Sequence, residues 1–474
     1  MSTEAKTGVK SEKKPFTINP YILLFCVICL VFVMSFFIPA GSFERAVIDG
    51  RTQVVPGSFH VIEGVEVSLF DIFRAVPYGL IGASGIIYLV LLVGGALAIY
   101  NKIGAIPAAI NALINTLGSK GDGMLVVVMI YWLFALLGGF LGFIEASIPF
   151  VPLVVPVILS LGFDPITAVA APTLGAMIGF ALGPTNFYSV GISHIIAELP
   201  MYSGIGLRLV VYFTGTFTAM MWLMRYAKRV KKDPTQSYMY GMGIDVSDLT
   251  ASLKDNESTK MTTVHVITLV MLLGTFFAVV IGMMLYDWGL NDMTAAFLVT
   301  GIAAGILGRM KPSEMMNTMM EGAKIALPGA LVVGLARSIQ WMLENTMMLD
   351  SIIHGLSQML YGLTPTASAI GIFGAVMVIN FFITSASGKA LAIMPIIIPL
   401  ADLIGVTRQQ AVLAYQFGDG VVNIVCFTYG SLLIYLSYGK VPLTKWYRFV
   451  WPLFLMLIAY SIIFLAIAVA MNYS

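Results

Sequence analysis

Two apolar stretches, each interrupted by prolines, decide the fold of this 474-residue chain. Residues 143–162 read FIEASIPFVPLVVPVILSLG, and residues 383–405 read ITSASGKALAIMPIIIPLADLIG. Both begin with small hydroxyl-bearing residues and then contain several prolines. Proline lacks the backbone N–H of a helix and disfavours a continuous one. We therefore predict that the runs 144–161 and 388–404 form re-entrant hairpins, with straight but kinked helices as the alternative.

The composition around these stretches is that of a membrane protein. Hydrophobic residues make up 59% of the chain and charged residues 11%, whereas a soluble domain carries about 25% charged residues. The apolar runs lack the alternation of barrel strands, and helices satisfy their own backbone groups in lipid. We predict an all-α polytopic membrane protein. Its candidate membrane segments are 21–39, 79–99, 123–142, 168–191, 207–226, 263–286, 293–309, 324–345, 366–384, 409–437 and 446–470.

Polar segments divide the chain into two membrane halves. The predicted parts are a tail at 1–20, a first half at 21–226 with its hairpin near 144–161, a linker at 227–262, and a second half at 263–474 with its hairpin near 385–404. The positive-inside tendency places the basic tail, the linker and the stretch around Arg309 in the cytoplasm. Segments 103–118 and 350–362 have the mixed composition of amphipathic helices at the membrane interface.

The two halves resemble each other around the predicted hairpins. Pro152 and Pro395 are 243 residues apart, and so are Gly175 and Gly418. Repeated proline and glycine positions at one fixed spacing favour a duplication over coincidence. Duplicated halves with broken segments in corresponding positions point to the binding site of a secondary transporter.

Ionisable and polar groups gather where the helices are predicted to break. A charged group inside a membrane is costly, so it is a functional candidate. Glu145 and Asp419 are predicted ligands for a cation, a proton or an amino group, with a structural ion pair to Lys389 or Arg337 as the alternative. The planar guanidinium of Arg337 could bind a substrate carboxylate. The candidate substrate-binding or ion-binding residues are Glu145, Ser147, Thr185, Asn186, Arg337, Ser385, Ser387, Lys389, Asp419, Asn423 and Thr428.

Catalytic and nucleic-acid functions find little support in the sequence. A net charge of +2 without a large basic patch does not suggest a nucleic-acid partner. The three cysteines lie in apolar runs, and His194 with Glu198 lacks the spacing of a zinc protease. An intramembrane hydrolase that uses Ser387 and Lys389 is a remote alternative, as is a channel. We predict that the chain is not an enzyme.

Several distinctive strings make the chain similar to a known family. They are FIEASIPF at 143–150, GLAR at 334–337, SASGKA at 385–390, AYQFGDG at 414–420, and RYA at 225–227 ahead of KDP at 232–234. With them the chain resembles a YfcC-type member of the C4-dicarboxylate carrier (DcuC-like) group in the ion-transporter superfamily. This resemblance implies inverted structural repeats, each with a re-entrant hairpin and a broken transmembrane helix. It also implies a scaffold domain, a mobile transport domain, and a homodimer that works by an elevator motion.

The resemblance and the residues together predict a secondary active transporter of a small polar organic solute. An amino acid is the first expectation, including exchange of a basic amino acid, and a C4-dicarboxylate or other carboxylate is the alternative. Relatives often carry Glu-Glu-Thr at the first hairpin, where this chain has Glu145-Ala146-Ser147. A Pro-Thr-Ser element of the family is Phe427-Thr428-Tyr429 here. Both departures fall where substrate is expected to bind.

The expected partners are the solute, the lipid bilayer and a second copy of the chain. No cofactor is expected, although Na⁺ or H⁺ could be the coupling ion, and Na⁺ could bind at the hairpin tips. The expected location is the bacterial cytoplasmic (inner) membrane.

Overall fold

A computed structural model describes residues 19–48, 51–55, 57–64, 66–109, 112, 123–242, 244, 249, 261–286, 288–359 and 362–474. The predicted tail and most of the predicted linker lie outside these residues, as does most of the segment 103–118. Within the described residues, nine helical stretches are long and apolar enough to cross a membrane. The prediction of a helical, multi-pass membrane protein is therefore confirmed.

The helices are numbered here along the described part of the chain. They are α1 (Pro20–Met34), α2 (Leu69–Gly82), α3 (Ser84–Lys102), α4 (Met124–Leu136), α5 (Val151–Ser160), α6 (Pro165–Leu182), α7 (Ile192–Ile196), α8 (Ile205–Lys232), α9 (Thr263–Leu285), α10 (Leu290–Leu307), α11 (Pro312–Asn345), α12 (Leu349–Gln358), α13 (Pro365–Asn380), α14 (Ala386–Leu403), α15 (Arg408–Val421), α16 (Gly430–Tyr438) and α17 (Leu443–Ala470). π-helical turns at Leu137–Leu141 and Phe187–Gly191 extend α4 and precede α7, and a 3₁₀ segment at Glu145–Phe150 leads into α5. Helix α12 falls within the predicted amphipathic segment 350–362.

Four short strands, which the sequence analysis did not predict, follow α1. Strands β1 (Gly41–Ser42) and β4 (His60–Val61) pair antiparallel, and so do β2 (Arg45–Ile48) and β3 (Arg51–Val54). Asp350, at the start of α12, holds this region because its carboxylate accepts a hydrogen bond from Phe43 N at 3.0 Å and pairs with Arg45 at 2.8 Å.

The two proline-rich runs differ from the prediction that they turn back within themselves. Helix α5 continues through Pro156, and α14 continues through Pro395 and Pro399. Each run is instead the second arm of a helical hairpin, whose first arm is α4 with its π-turn or α13. The turns lie at 142–144 and 381–385, ahead of the prolines. A proline removes one helical hydrogen bond, and packed neighbours make that loss tolerable inside a membrane protein.

The feet of each hairpin meet. Gly123, before α4, lies against Leu161, after α5, and Gly405, after α14, lies against Pro365 at the start of α13. We call α4–α5 hairpin 1 and α13–α14 hairpin 2.

Helix boundaries recur at the spacing seen in the sequence. Three pairs of helix starts lie 243 residues apart, namely Pro20 and Thr263, Leu69 and Pro312, and Pro165 and Arg408. The spacing between the prolines of the two hairpins therefore extends to helices far from them. In the first half α2 and α3 are separated by a break at Ala83, whereas α11 is continuous.

The helices pack into two groups. Group A consists of α1–α3 and α9–α12 and centres on α11 packed against α2 and α3. Gly95 and Gly322 allow the backbones of α3 and α11 to approach closely, as small residues do between membrane helices. Group B consists of α4–α8 and α13–α17 and centres on α6, which is buried along its whole length. The two groups meet mainly where α11 packs against α16 and where α3 packs against the 3₁₀ segment.

Candidate functional site

A polar cavity of ≈ 440 Å³ lies at the boundary between the two helix groups. Group B contributes the turns of both hairpins and the start of α16, and group A contributes α11, the α2–α3 junction and the α9–α10 junction. The lining residues discussed below are Glu145, Tyr188, Trp288, Arg337, Thr384, Ser385, Ser387, Asn423, Tyr429 and Ser431. Five of the predicted site residues are therefore brought together in one cavity.

Glu145 supplies a negative charge to this cavity. It follows the turn of hairpin 1 and is half-buried. Its Oε1 accepts hydrogen bonds from the Tyr429 hydroxyl at 2.9 Å and the Ser431 hydroxyl at 3.2 Å. No ion pair of Glu145 occurs among the described residues. Neutral donors hold this carboxylate, so its charge is available to a ligand.

Arg337 supplies a positive charge from the opposite helix group. Its guanidinium donates to Gln340 Oε1, and Gln340 Nε2 donates to Glu344 Oε1 at 2.7 Å. Within the described part of the chain Arg337 forms no ion pair, so the predicted alternative of a pair with Asp419 is not the arrangement found. The cavity therefore holds one carboxylate and one guanidinium that leave each other free.

Helix ends add partial positive charge to the cavity. Ser385 caps α14 by accepting a hydrogen bond from Gly388 N at 3.3 Å, and Ser387 lies in the first turn. Gly430 begins α16 on the same cavity wall. The unpaired N–H groups at helix N-termini favour anions. The wall formed by Ser385 and Gly430 is therefore suited to a carboxylate.

Lys389 and Asp419 form a fully buried ion pair behind the cavity wall. Lys389 Nζ lies 2.8 Å from Asp419 Oδ1, and both side chains are at most 1% exposed. Lys389 also donates to Asn380 Oδ1, and Asn380 Nδ2 donates to Asn423 Oδ1 at 2.9 Å. Of this network only Asn423 lines the cavity. The structural ion pair predicted as the alternative for Asp419 is thus present, with Lys389 as its partner.

The remaining predicted site residues brace the turns and do not line the cavity. Ser147 Oγ lies 2.5 Å from the Tyr435 hydroxyl, and Asn186 accepts a hydrogen bond from Tyr188 N at 3.0 Å. Thr185 and Thr428 have matching contacts. Each donates its hydroxyl hydrogen to the end of a hairpin's first arm, Thr185 to Phe140 O at 3.0 Å and Thr428 to Phe381 O at 2.8 Å.

Sequence reasoning missed several residues that line the cavity. Tyr429 lies 243 residues after Asn186, so the repeat spacing pointed to it. Trp288 carries no comparable signal, because it lies between α9 and α10, far from either hairpin in sequence. Aromatic side chains in apolar runs are common, and nothing local distinguishes those that face a cavity.

His194 and Glu198 belong to different contacts. His194 Nδ1 accepts a hydrogen bond from Tyr202 N at 3.0 Å, while Glu198 pairs with Arg408 at 3.0 Å. In the part of the chain that the structure describes, no cluster of His, Cys, Asp or Glu side chains could hold a metal ion.

Comparison with known proteins gives relatives along nearly the whole chain. Residues 19–470 match the DcuC family, described as the C4-dicarboxylate anaerobic carrier. A protein of Escherichia coli K12 named "Putative basic amino acid antiporter YfcC" is 30% identical over 466 residues, which cover 90% of this chain and 91% of that protein. An uncharacterised protein of Haemophilus influenzae is 28% identical and covers 92% of this chain and 85% of its own length.

Two solved transporter structures are similar at lower identity. The YdaH transporter of Alcanivorax borkumensis has 14% identity and a TM-score of 0.44, covering 96% of this chain and 99% of that one. The MtrF efflux pump of Neisseria gonorrhoeae has 17% identity and a TM-score of 0.41, covering 96% and 95%.

Proposed function

The chain belongs to the DcuC family of membrane transporters, and from this membership we propose that it is a secondary transporter that carries an amino acid in the cavity between its two helix groups. The observation that carries the proposal is that one cavity holds both Glu145 and Arg337, each without an ion pair among the described residues. A zwitterionic amino acid offers the two complementary charges.

The charges of the cavity favour an amino acid over a dicarboxylate. The amino acid's carboxylate can pair with Arg337 and the N-terminal ends of α14 and α16, while its ammonium can pair with Glu145. A dicarboxylate would place one of its own negative charges near Glu145, and like charges in a low-dielectric site repel strongly. The polar hydroxyls of Ser385 and Ser387 complete the wall on the carboxylate side.

A basic amino acid fits this arrangement best. Its side chain carries a second cation, and the aromatic rings of Tyr188 and Trp288 line the same cavity as Glu145. Aromatic faces attract Lys- and Arg-type cations. The name of the Escherichia coli relative also refers to basic amino acids.

A carboxylate transporter is the second candidate. Arg337 and two helix N-termini give the cavity more anion-binding than cation-binding groups. With a protonated Glu145 the cavity would accept a dicarboxylate together with H⁺. The family's own description favours this substrate class.

The proposal includes an elevator motion of group B against group A in a bacterial cytoplasmic membrane. In it the two halves are inverted repeats, group B is the transport domain, and group A is the scaffold that forms a homodimer. Support comes from the constant spacing of 243 residues between equivalent helix starts. The position of the cavity at the boundary of the groups suits a carrier that moves its substrate past a fixed wall.

Solute-dependent thermal stabilisation of the purified full-length protein tests the substrate class. Binding to the folded state alone raises the apparent stability. Arginine, ornithine and lysine should raise the apparent Tm at lower concentrations than neutral amino acids, and C4-dicarboxylates should leave it unchanged. Stabilisation by dicarboxylates without any response to amino acids would replace the first candidate with the second.

Substitution of Glu145 separates the role of its charge from a general loss of structure. Glu145→Gln keeps the shape and should weaken basic amino acids by about tenfold or more, the equivalent of losing one charge-assisted contact. Glu321→Gln, at an exposed position of α11, makes the same chemical change as the control. A loss for amino acids and dicarboxylates alike in Glu145→Gln would refute the proposed pairing with an ammonium group.

A further inference from the structure

The buried ammonium of Lys389 is not used by the substrate site described above. It follows the turn of hairpin 2 and is completely buried, with Asp419 Oδ1 at 2.8 Å and Asn380 Oδ1 as hydrogen-bond acceptors. Asp419 Oδ2 is buried and accepts no hydrogen bond among the described residues. The ammonium is therefore the group that neutralises this carboxylate.

The place of this ammonium in the fold is that of a coupling cation. It lies between the turn of hairpin 2 and the C-terminal end of α15, where the chain leaves the α-helix before α16. In transporters with broken helices, oxygen ligands at the C-terminal ends of half-helices coordinate the coupling Na⁺ or H⁺. Here a carboxylate oxygen and an amide oxygen, the kind of ligand that hard cations prefer, already bind a Lys side chain.

The network connects to the substrate cavity through one residue. Asn380 donates to Asn423 Oδ1 at 2.9 Å, and Asn423 lines the cavity. A cation at the position of Lys389 Nζ therefore supports a cavity wall through two amides without touching the substrate.

The equivalent positions of the first half have no such network. The residues 243 positions before Asn380, Lys389 and Asp419 are Leu137, Ala146 and Ala176. An apolar core residue and two alanines can neither carry nor bind a cation with their side chains. The buried cation is thus particular to hairpin 2, which argues that it does more than hold a generic hairpin together.

We propose that the Lys389 ammonium is a tethered cation that takes the place of a coupling Na⁺ at hairpin 2, so that solute binding and transport are independent of Na⁺. The inference rests on the proposed function as a transporter. It bears on coupling, since a carrier with a permanently occupied cation site suits exchange of one solute for another.

Thermal unfolding of the full-length protein in NaCl, KCl and choline chloride tests the proposal. The wild type should show the same apparent Tm and the same solute response in all three salts. Lys389→Ala leaves Asp419 without its cation, so its apparent Tm should fall in KCl and choline chloride. NaCl should raise the Tm of this variant saturably by several degrees.

Two further variants guard against an uninformative loss of folding. Lys228→Ala removes an exposed lysine of α8 and should not make stability depend on Na⁺. Lys389→Met with Asp419→Asn removes both buried charges, so it should fold without a cation and gain no response to NaCl. If Lys389→Ala does not fold in any salt, the wild type and this double variant still decide the question.

The outcomes separate this inference from the proposed function. A wild type that requires Na⁺ for solute binding, or a folded Lys389→Ala that ignores Na⁺, would overturn the tethered cation. Failure of every amino acid and dicarboxylate to stabilise the wild type would refute the proposed function alone, because the response of Lys389→Ala to NaCl needs no solute.

Discussion

At the scale of single residues, the protein keeps two kinds of charge apart. Lys389 and Asp419 neutralise each other in the interior, whereas Glu145 and Arg337 face the cavity without an ion pair among the described residues. A buried pair is costly to break because the remaining charge has no solvent. A charge held by neutral donors keeps its electrostatic attraction for a ligand. Both kinds of charge looked alike in the sequence.

Substitution of Arg337 is predicted to affect binding more than folding. Arg337→Gln should weaken every carboxylate-bearing solute by about tenfold or more. Its partner is the Gln340 amide, so no buried carboxylate is left unpaired and the apparent Tm should change little. Arg337→Lys should recover only part of the affinity, since Lys lacks the planar fork. Arg225→Gln, at an exposed position of α8, is the control, and an equal effect of both variants would contradict the prediction.

At the scale of helices, two glycines make equivalent contacts. A Cβ atom on Gly175 would lie 2.5 Å from Tyr131 O, and one on Gly418 would lie 2.6 Å from Phe373 O. In each half the glycine thus lets a broken helix approach the first arm of its hairpin. This close approach positions the helix breaks beside the hairpin turns.

Substitution of either glycine is predicted to destabilise its own hairpin. Gly175→Ala and Gly418→Ala should each cost about 1–3 kcal/mol, because backbone atoms would have to move apart. Gly274→Ala is the control in α9, where an added Cβ meets no atom of the described chain within 4 Å. Thermal unfolding of the three variants checks this, and a control that loses as much stability as the other two would argue against local crowding.

At the scale of the whole molecule, the boundary between groups A and B decides how transport could work. Helices α11 and α16 meet there, with Gly329 of α11 facing Ser437 of α16. Neither residue lines the cavity. A Cβ atom on Gly329 would lie 3.1 Å from the Ser437 hydroxyl oxygen, which is close enough for a designed disulfide.

A disulfide across this boundary is predicted to stop transport reversibly. Gly329→Cys with Ser437→Cys should cross-link on oxidation, block exchange of solute in proteoliposomes, and recover activity after reduction. Each single variant is a control for the three native cysteines and should remain active under oxidation. Unchanged exchange by a fully cross-linked protein would show that group B does not move against group A at this contact.

The sequence predicted the features that depend on local order along the chain. Hydropathy and segment length identified a helical membrane protein, because lipid requires about 20 apolar residues for each crossing helix. The matching positions of Gly175 and Gly418 predicted the repeat that the helix boundaries follow. The prolines of 388–404 misled the prediction, because their cost depends on whether neighbours compensate for the lost hydrogen bond.

Only the tertiary structure decided which polar residues share a site. Glu145 and Arg337 lie far apart in the chain and line one cavity, whereas Ser147, next but one to Glu145, turns to Tyr435. Such choices depend on how hairpins and long helices pack, and no periodicity along the chain records that packing. Sequence alone therefore determined a duplicated, helical membrane protein, and packing at the boundary of two helix groups decided which of its charges are free to bind a solute.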